Sequence, residues 1–293
     1  MMDSMSRFCA LLLLAGALAA GSRGFTETAV PDASVNPKDG AEMVWVAAGD
    51  FLMGSTDDDI AAIIMMRPKL KADFFADEQP RHTVYLDGYW IYKYEATVAQ
   101  YRKFCAATGR KLPAQPEWSG DNYPVVNVTW DDAAAYAVWA GAQLPTEAQW
   151  EKAARGSDGR RFPWGNEWNV EMCNNYSDTN PLGKGYHGAC ATPVGSYPPC
   201  VSPRGAFDMA GNVWEWCQDF YDKGYYAKSP AKNPAGPETG EFHVLRGGSW
   251  GSSSVTVRSA CRNAESPDTT YHDDGGFRCV VTGPPPPKPA KER

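Results

Sequence analysis

Apolar and polar positions alternate in two stretches near the start of the chain. Residues 43–55 (MVWVAAGDFLMGS) set apolar and small residues around Gly49-Asp50, the pattern of a hairpin. In HTVYLDGYWIYKY, Val84, Leu86, Trp90 and Tyr92 recur with a period of two, which predicts a second strand. Helical spacing then replaces alternation. Val98, Tyr101, Phe104 and Cys105 fall on one face of a helix over 97–108 that Gly109 ends. Thr129 ahead of Trp130, Asp131 and Asp132 puts carboxylates at a helix N-terminus, where the dipole favours them, and Gly141 closes that helix after Trp139. Thr146-Glu147-Ala148-Gln149 fits a capping box before Trp150 and Ala154, with Gly156 as the stop. Beyond Gly156 the sequence is turn-rich with brief strands and shows no internal repeat. These elements predict the α+β class with a high share of irregular structure.

The two ends lack this periodicity. Arg7 precedes an apolar run over 8–20, and Ala17-Leu18-Ala19 stands ahead of polar sequence, which is the pattern of a secretory signal cleaved near Ala19. The run is too short to span a bilayer as a helix. Residues 20–40 are small, polar and proline-containing and read as a disordered leader. One domain is expected over 41–282, followed by a solvated Pro-rich tail at 283–293. The mature protein is therefore expected to be exported, periplasmic or secreted, without a membrane span.

Composition narrows the chemistry. The formal charge is −7 and no run of five basic residues occurs, so nucleic acid is not an expected partner. With 11 Trp, 28 Gly and 23 Pro, large rings rather than long helices should fill the interior. Cys9 lies in the apolar run of the signal, and an oxidising compartment would favour disulfides among the other seven cysteines. These lack CxxC spacing, and His82, His187, His243 and His272 are scattered, so no zinc or iron centre is expected. There is no Gly-x-Ser-x-Gly, P-loop or dinucleotide fingerprint. The serines at 252–254 have no histidine nearby in sequence to act as base and read as a loop.

Five blocks stand in order: QLPTEAQWEKAARG (143–156), FPWGNEW (162–168), DMAGNVWEW (208–216), LRGGSW (245–250) and GGFRC (275–279). Together they resemble the formylglycine-generating enzyme family, also called sulfatase-modifying factors, over nearly the whole mature domain. The resemblance implies a single C-type-lectin-like domain whose loops are stiffened by calcium. One calcium site carries over onto Asp208, Gly211, Val213 and Glu215, the glycine and valine acting through their carbonyls, a donor set that suits a hard cation. A second is matched by Asn175 and Tyr186, but Lys184 stands where the family offers a carboxylate. Active members hold copper(I) between two cysteines and oxidise a substrate cysteine to formylglycine. Here the first of those positions is Ser252 and the second Thr256 or Val257, so copper is not expected, since Cu(I) binds hydroxyls poorly. Ser249 and Trp214, matching residues beside the oxygen pocket, are kept. Cys261 and Cys279 match cysteines that some members bridge to the central helices, where this chain has Ala137 and Ala154. Cys173, Cys190 and Cys200 are the available replacements.

Two functional readings follow, and neither assigns a catalytic residue. In the first, a cleft formed by residues 250–262 binds a peptide, glycan or other small polar ligand through Trp250, Ser252, Ser253, Thr256, Arg258 and Arg262. In the second the chain is an oxidoreductase of the same family, either formylglycine-generating or resembling siderophore-maturing members that work without the cysteine pair. For Arg258 and Arg262 a bracing role on a loop carboxylate, such as Asp268 or Asp273, is equally open.

Overall fold

The computed structural model describes residues 34–176, 190–270 and 272–284. The expected signal at 1–19, Lys184, Tyr186 and most of the Pro-rich tail lie outside these residues. Five strands open the fold: β1 (Ser34–Val35), β2 (Glu42–Val46), β3 (Gly49–Met53), β4 (His82–Leu86) and β5 (Tyr89–Tyr92). The hairpin expected within 43–55 does not form. β2 pairs with β5 and β3 with β4, both antiparallel, and Val46 opposite Tyr89 is in register with Gly49 opposite Leu86. The two pairs therefore keep one register but belong to separate sheets, the chain bending where 47–48 stand opposite 87–88. Gly88 permits the bend, because a Cβ there would lie 2.4 Å from Cζ2 of Trp45.

Residues 34–40 belong to the fold rather than to a disordered leader. β1 pairs with β2, and buried Asp39 accepts hydrogen bonds from the hydroxyls of Tyr92 at 2.6 Å and Tyr136 at 2.5 Å. Between β3 and β4 runs α1 (Asp57–Met66), capped by Thr56 and Asp59, followed by a 3-10 segment (Ala72–Glu78). The sequence did not predict α1. The three expected helices do form: α2 (Val98–Thr108), α3 (Trp130–Trp139) and α4 (Glu147–Arg155). Thr97, Thr129 and Thr146 each close a capping box with the side chain three residues on, which satisfies donors that a helix start leaves unpaired.

The second half builds another sheet from β6 (Trp214–Phe220), β7 (His243–Arg246), β8 (Asn263–Glu265) and β9 (Gly275–Gly276), in the order β8-β7-β6-β9 with only β6 and β9 parallel. β10 (Val280–Thr282) returns to pair with β5, so the last strand closes the first sheet. Trp150, Trp216, Tyr136 and Phe277 are fully buried, as the ring-rich composition required. Among the described residues no helix is long and apolar enough to cross a membrane.

Charge, as well as rings, ties the sequence blocks together. Arg246 of β7 reaches Glu147 at 2.7 Å and Glu151 at 2.6 Å on α4, and Arg155 returns to Glu151 at 2.7 Å. Arg278 of GGFRC forks onto Glu215 of β6 at 2.6 and 2.7 Å, while Trp150 Nε1 donates to the same carboxylate at 2.8 Å. All these groups are buried, so each pair must offset its own desolvation with well-formed bonds. Burial alone would raise the Glu151 carboxyl, yet Arg246 and Arg155 outweigh it and hold it below the usual range.

Asp219, on β6, behaves oppositely. Burial, reinforced by the Glu147 carboxylate, pushes it up to about 8, and the Glu147 backbone N–H only partly opposes the shift. An acid whose pKa is raised by folding holds its proton in the native state after the unfolded chain has lost it. Its contribution is complete below the unfolded value of about 4 and is lost as pH rises towards the folded value. Stability should therefore fall between pH 4 and 8 by an amount attributable to this group. Asp219→Asn, which keeps an acceptor for the Glu147 N–H, should flatten that part of the profile in urea melts at stepped pH. An unchanged slope would show that Asp219 titrates normally.

Candidate functional site

β7 ends at Arg246 and the chain turns through Gly247 and Gly248, with φ of +95° and +73°. Neither turn leaves room for a side chain. A Cβ on Gly247 would sit 3.0 Å from the Trp150 indole, and one on Gly248 would meet Val257 Cγ1 at 2.8 Å and Ser252 Cβ at 3.2 Å. Ser252 and Val257 thus flank the same glycine. Thr256 faces elsewhere, its hydroxyl 3.4 Å from that of Ser253. Of the two candidates for the second copper position, Val257 is the one that shares with Ser252 the space beside Gly248. A hydroxyl and an isopropyl group stand where the metal needs two thiolates, and the residues present do not fit copper(I).

Ser252 is buried and points inward. Its Oγ accepts the Ser249 N–H at 3.0 Å and lies 3.3 Å from Ser249 Oγ, which donates to Asp274 at 2.7 Å. Trp250 is partly buried and donates through Nε1 to Asp273 O at 3.3 Å, and Trp214 is a core ring. Arg258 forks onto Glu78 at 2.8 and 2.6 Å, and Arg262 onto Glu147 at 2.7 and 2.9 Å. Both arginines are buried braces, so neither presents a free guanidinium to a ligand. Their partners are not the expected Asp268 or Asp273 but acids far upstream.

The cleft is formed instead between the outer side of this loop and the segment joining α1 to the 3-10 turn. An inner cavity of about 230 Å³ is lined by Ile63, Arg67, Arg161, Phe162, Trp168, Ser254, Val255 and Arg258. An outer one of about 490 Å³ is lined by Arg67 to Leu70, Phe74, Ser253, Val255 and Thr256. Arg67 and Val255 belong to both, so the two adjoin. Of the expected ligand residues, Ser253, Thr256 and the covered Arg258 lie on this cleft; Trp250, Ser252 and Arg262 do not. Arg67, Lys69 and Trp168 were missed, because the walls come from three segments far apart in sequence.

A second polar centre lies beneath the DMAGNVWEW block. Asp208 is buried with φ +56° and accepts the Gly195 N–H at 2.6 Å. Glu95, also buried, accepts from Asn212 Nδ2 at 3.0 Å through one oxygen, while its other oxygen has no partner. Burial and then the Asp208 carboxylate push Glu95 well above the usual range, and burial raises Asp208 too. Two facing carboxyls with an orphaned oxygen are the donor chemistry of a hard cation such as calcium. Glu215 differs from its expected role, since its carboxylate is already bonded by Arg278 and Trp150. The carboxyl that lies beside Asp208 is that of Glu95, which no local motif announced. Asn175 Oδ1 is likewise buried without a partner.

No disulfide joins the seven described cysteines. Cys261 and Cys279 are buried thiols, while Cys173 and Cys200 share an apolar cluster with Phe162 and Val257.

Comparison with known proteins gives the family and the fold. Residues 29–282 match the Sulfatase-modifying factor enzyme 1-like domain. The formylglycine-generating enzyme of Thermomonospora curvata is 34% identical over 299 residues, covering 82% of this chain and 93% of that one. The mouse (Mus musculus) protein named inactive C-alpha-formylglycine-generating enzyme 2 is 39% identical over 167 residues, covering 54% of this chain and 48% of its own length. The chain thus spans nearly all of one relative and about half of another. The structure of PvdO from Pseudomonas aeruginosa superposes with a TM-score of 0.71 at 28% identity, covering 86% of this chain and 98% of that one.

Proposed function

This chain belongs to the sulfatase-modifying factor family, and we propose that within it the protein is an exported binding module that does not generate formylglycine. The observation that carries this is the pair Ser252 and Val257 beside Gly248, which removes both thiolates from the position where active members hold copper. Neither a neutral alcohol nor a hydrocarbon can serve as a soft ligand at neutral pH. The relative named inactive supports the reading, since the family accommodates loss of the reaction. Binding is assigned to the cleft between 252–257 and 63–74, whose walls combine aromatic rings with a few polar groups, as ligand sites do. Export rests on the apolar run at 8–20 and the small residues before position 20.

Incubated with copper, oxygen and a peptide carrying the Cys-x-Pro-x-Arg core, the protein should form no aldehyde detectable by mass spectrometry. Turnover of that peptide would overturn the reading and restore the oxidase. Replacing Ser253 and Thr256 by alanine should leave stability within about 1 kcal/mol, as for partly exposed sites generally, while ligand affinity falls. Full retention of binding would remove the loop from the site.

Calcium belongs to the same proposal, held by Asp208, Glu95 and the carbonyls of Gly211 and Val213. Bound there, it would offset the burial that raises the pKa of both carboxyls, and a ligand held only by the folded state raises its stability by mass action. Adding calcium to chelator-treated protein should raise Tm, and Glu95→Gln should abolish the rise. An equal rise in Glu95→Gln would place the cation elsewhere.

A further inference from the structure

The cleft has a charge pattern that its proposed role does not by itself explain. The protein is acidic overall, at −7, yet among the described residues neither cavity is lined by an Asp or Glu. Three cationic side chains reach it, Arg67, Lys69 and Arg161, besides Arg258, whose charge Glu78 already neutralises. None of the three forms a salt bridge among the described residues, and Arg161, whose Nη1 donates to Asn166 O at 3.2 Å, keeps a buried Nε without a hydrogen-bond partner. Elsewhere the chain pairs arginine with carboxylate repeatedly, as at Arg155, Arg246, Arg262 and Arg278. Arg161 lines the inner cavity, Lys69 the outer and Arg67 both, and cations without a carboxylate partner in adjoining concavities of an acidic protein attract and hold an anion.

The rest of the lining is apolar. Ile63, Leu70, Phe74, Phe162, Trp168 and Val255 make the walls, and Phe74 is left 58% exposed. Both walls are held firm. Arg258 joins Glu78 at the end of the 3-10 segment to Val255 O at 2.6 Å, and Val255 packs with Ile60, Ile63 and Phe75. A site fixed before binding loses little in ordering itself.

We propose that this cleft takes an apolar group that ends in a carboxylate, the apolar body lying against Trp168, Phe74 and Val255 and the carboxylate meeting Arg67, Lys69 and Arg161. The assignment rests on the cleft reading above and names its ligand chemistry. A hydroxyl-rich sugar would leave the apolar walls uncompensated, and a polar neutral ligand would leave the cations unpaired. A carboxylate on an apolar body has two sources, a free fatty acid or the C-terminus of a peptide ending in an aromatic residue.

Titration calorimetry with four probes separates the cases: decanoate, decanol, a short acetylated peptide ending in phenylalanine, and its C-terminal amide. At least one carboxylate should bind, with its neutral counterpart at least tenfold weaker. Arg67→Met with Lys69→Met should narrow the preference for the carboxylate to what Arg161 still supplies, without altering the affinity of the neutral probe. Preference for decanoate or for the peptide acid identifies the source, and either supports the proposal. Equal binding of acid and neutral probe, both lost in Ser254→Trp, which fills the inner cavity, overturns the carboxylate assignment and leaves the cleft reading standing. Carboxylate binding that Ser254→Trp leaves intact places the site elsewhere and overturns both. No binding by any of the four probes overturns the inference.

Discussion

Glu151→Ala should destabilise the protein by about 3–5 kcal/mol, the cost of stranding buried charge when one partner of an ion pair is removed. Glu151 is fully buried on α4, where its carboxylate accepts from Gly54 N at 2.8 Å, Arg155 at 2.7 Å and Arg246 at 2.6 Å. It joins the end of β3, α4 and β7 at one point. Without it, Arg155 keeps only neutral carbonyls, at Gly54, Gly159 and Arg160, and Arg246 keeps Glu147, which Arg262 also uses. Two guanidinium charges would then share one carboxylate in a dry interior. Glu151→Gln retains the shape and should fall between alanine and the parent, because an amide still accepts hydrogen bonds but cancels no charge. The urea midpoint should shift with an unchanged m-value, the mark of altered stability in an intact fold. A loss below about 1 kcal/mol for alanine, the range of exposed ion pairs, would mean that water reaches the guanidiniums.

What could be read in the sequence divides along sequence distance. Helices α2, α3 and α4 were legible because apolar spacing up to Gly109, the carboxylates after Thr129 and the capping box from Thr146 each lie in the same short window as the turns they set. The bend at 47–48 and 87–88 was not, since alternation continues through it and only the Trp45 ring against Gly88 reveals the corner. α1 escaped because DDDIAAIIMM is apolar on every side after its acidic first turn, which fits neither period. The arginines show the same limit. For the bracing role left open at Arg258 and Arg262 the acids considered were Asp268 and Asp273, in the same stretch of chain, whereas Glu78 and Glu147 lie 180 and 115 residues upstream. Glu95 meets the DMAGNVWEW block across 117 residues, and the cleft likewise joins 63–74, 161–168 and 253–256. The family frame was legible because glycine turns and rings repeat as local blocks. The site was not, because its walls meet only in the folded chain.

Ser252→Cys combined with Val257→Cys should give the protein a Cu(I) site that the parent lacks. Both side chains touch the space where a Gly248 Cβ would stand, so two sulfurs introduced there lie close enough to reach one ion. Cu(I) prefers such soft thiolates, so affinity measured against a competing chelator should rise at least a hundredfold over either single cysteine. The change carries a folding cost. Ser252 Oγ accepts the Ser249 N–H at 3.0 Å, and replacing it with sulfur, a weak acceptor, should cost about 1 kcal/mol. Val257 is fully buried beside Phe162 and Cys200, and trimming it to cysteine should cost a further amount of about 1 kcal/mol. The double variant should therefore be less stable than the parent without metal and regain that loss when Cu(I) binds only the folded state. The discriminating control is Ser252→Cys with Thr256→Cys, because Thr256 faces the Ser253 hydroxyl instead of Gly248. If that control binds Cu(I) as tightly as the Val257 pair, the loop does not hold Val257 beside Gly248 with Ser252, and the thiol position belongs to Thr256.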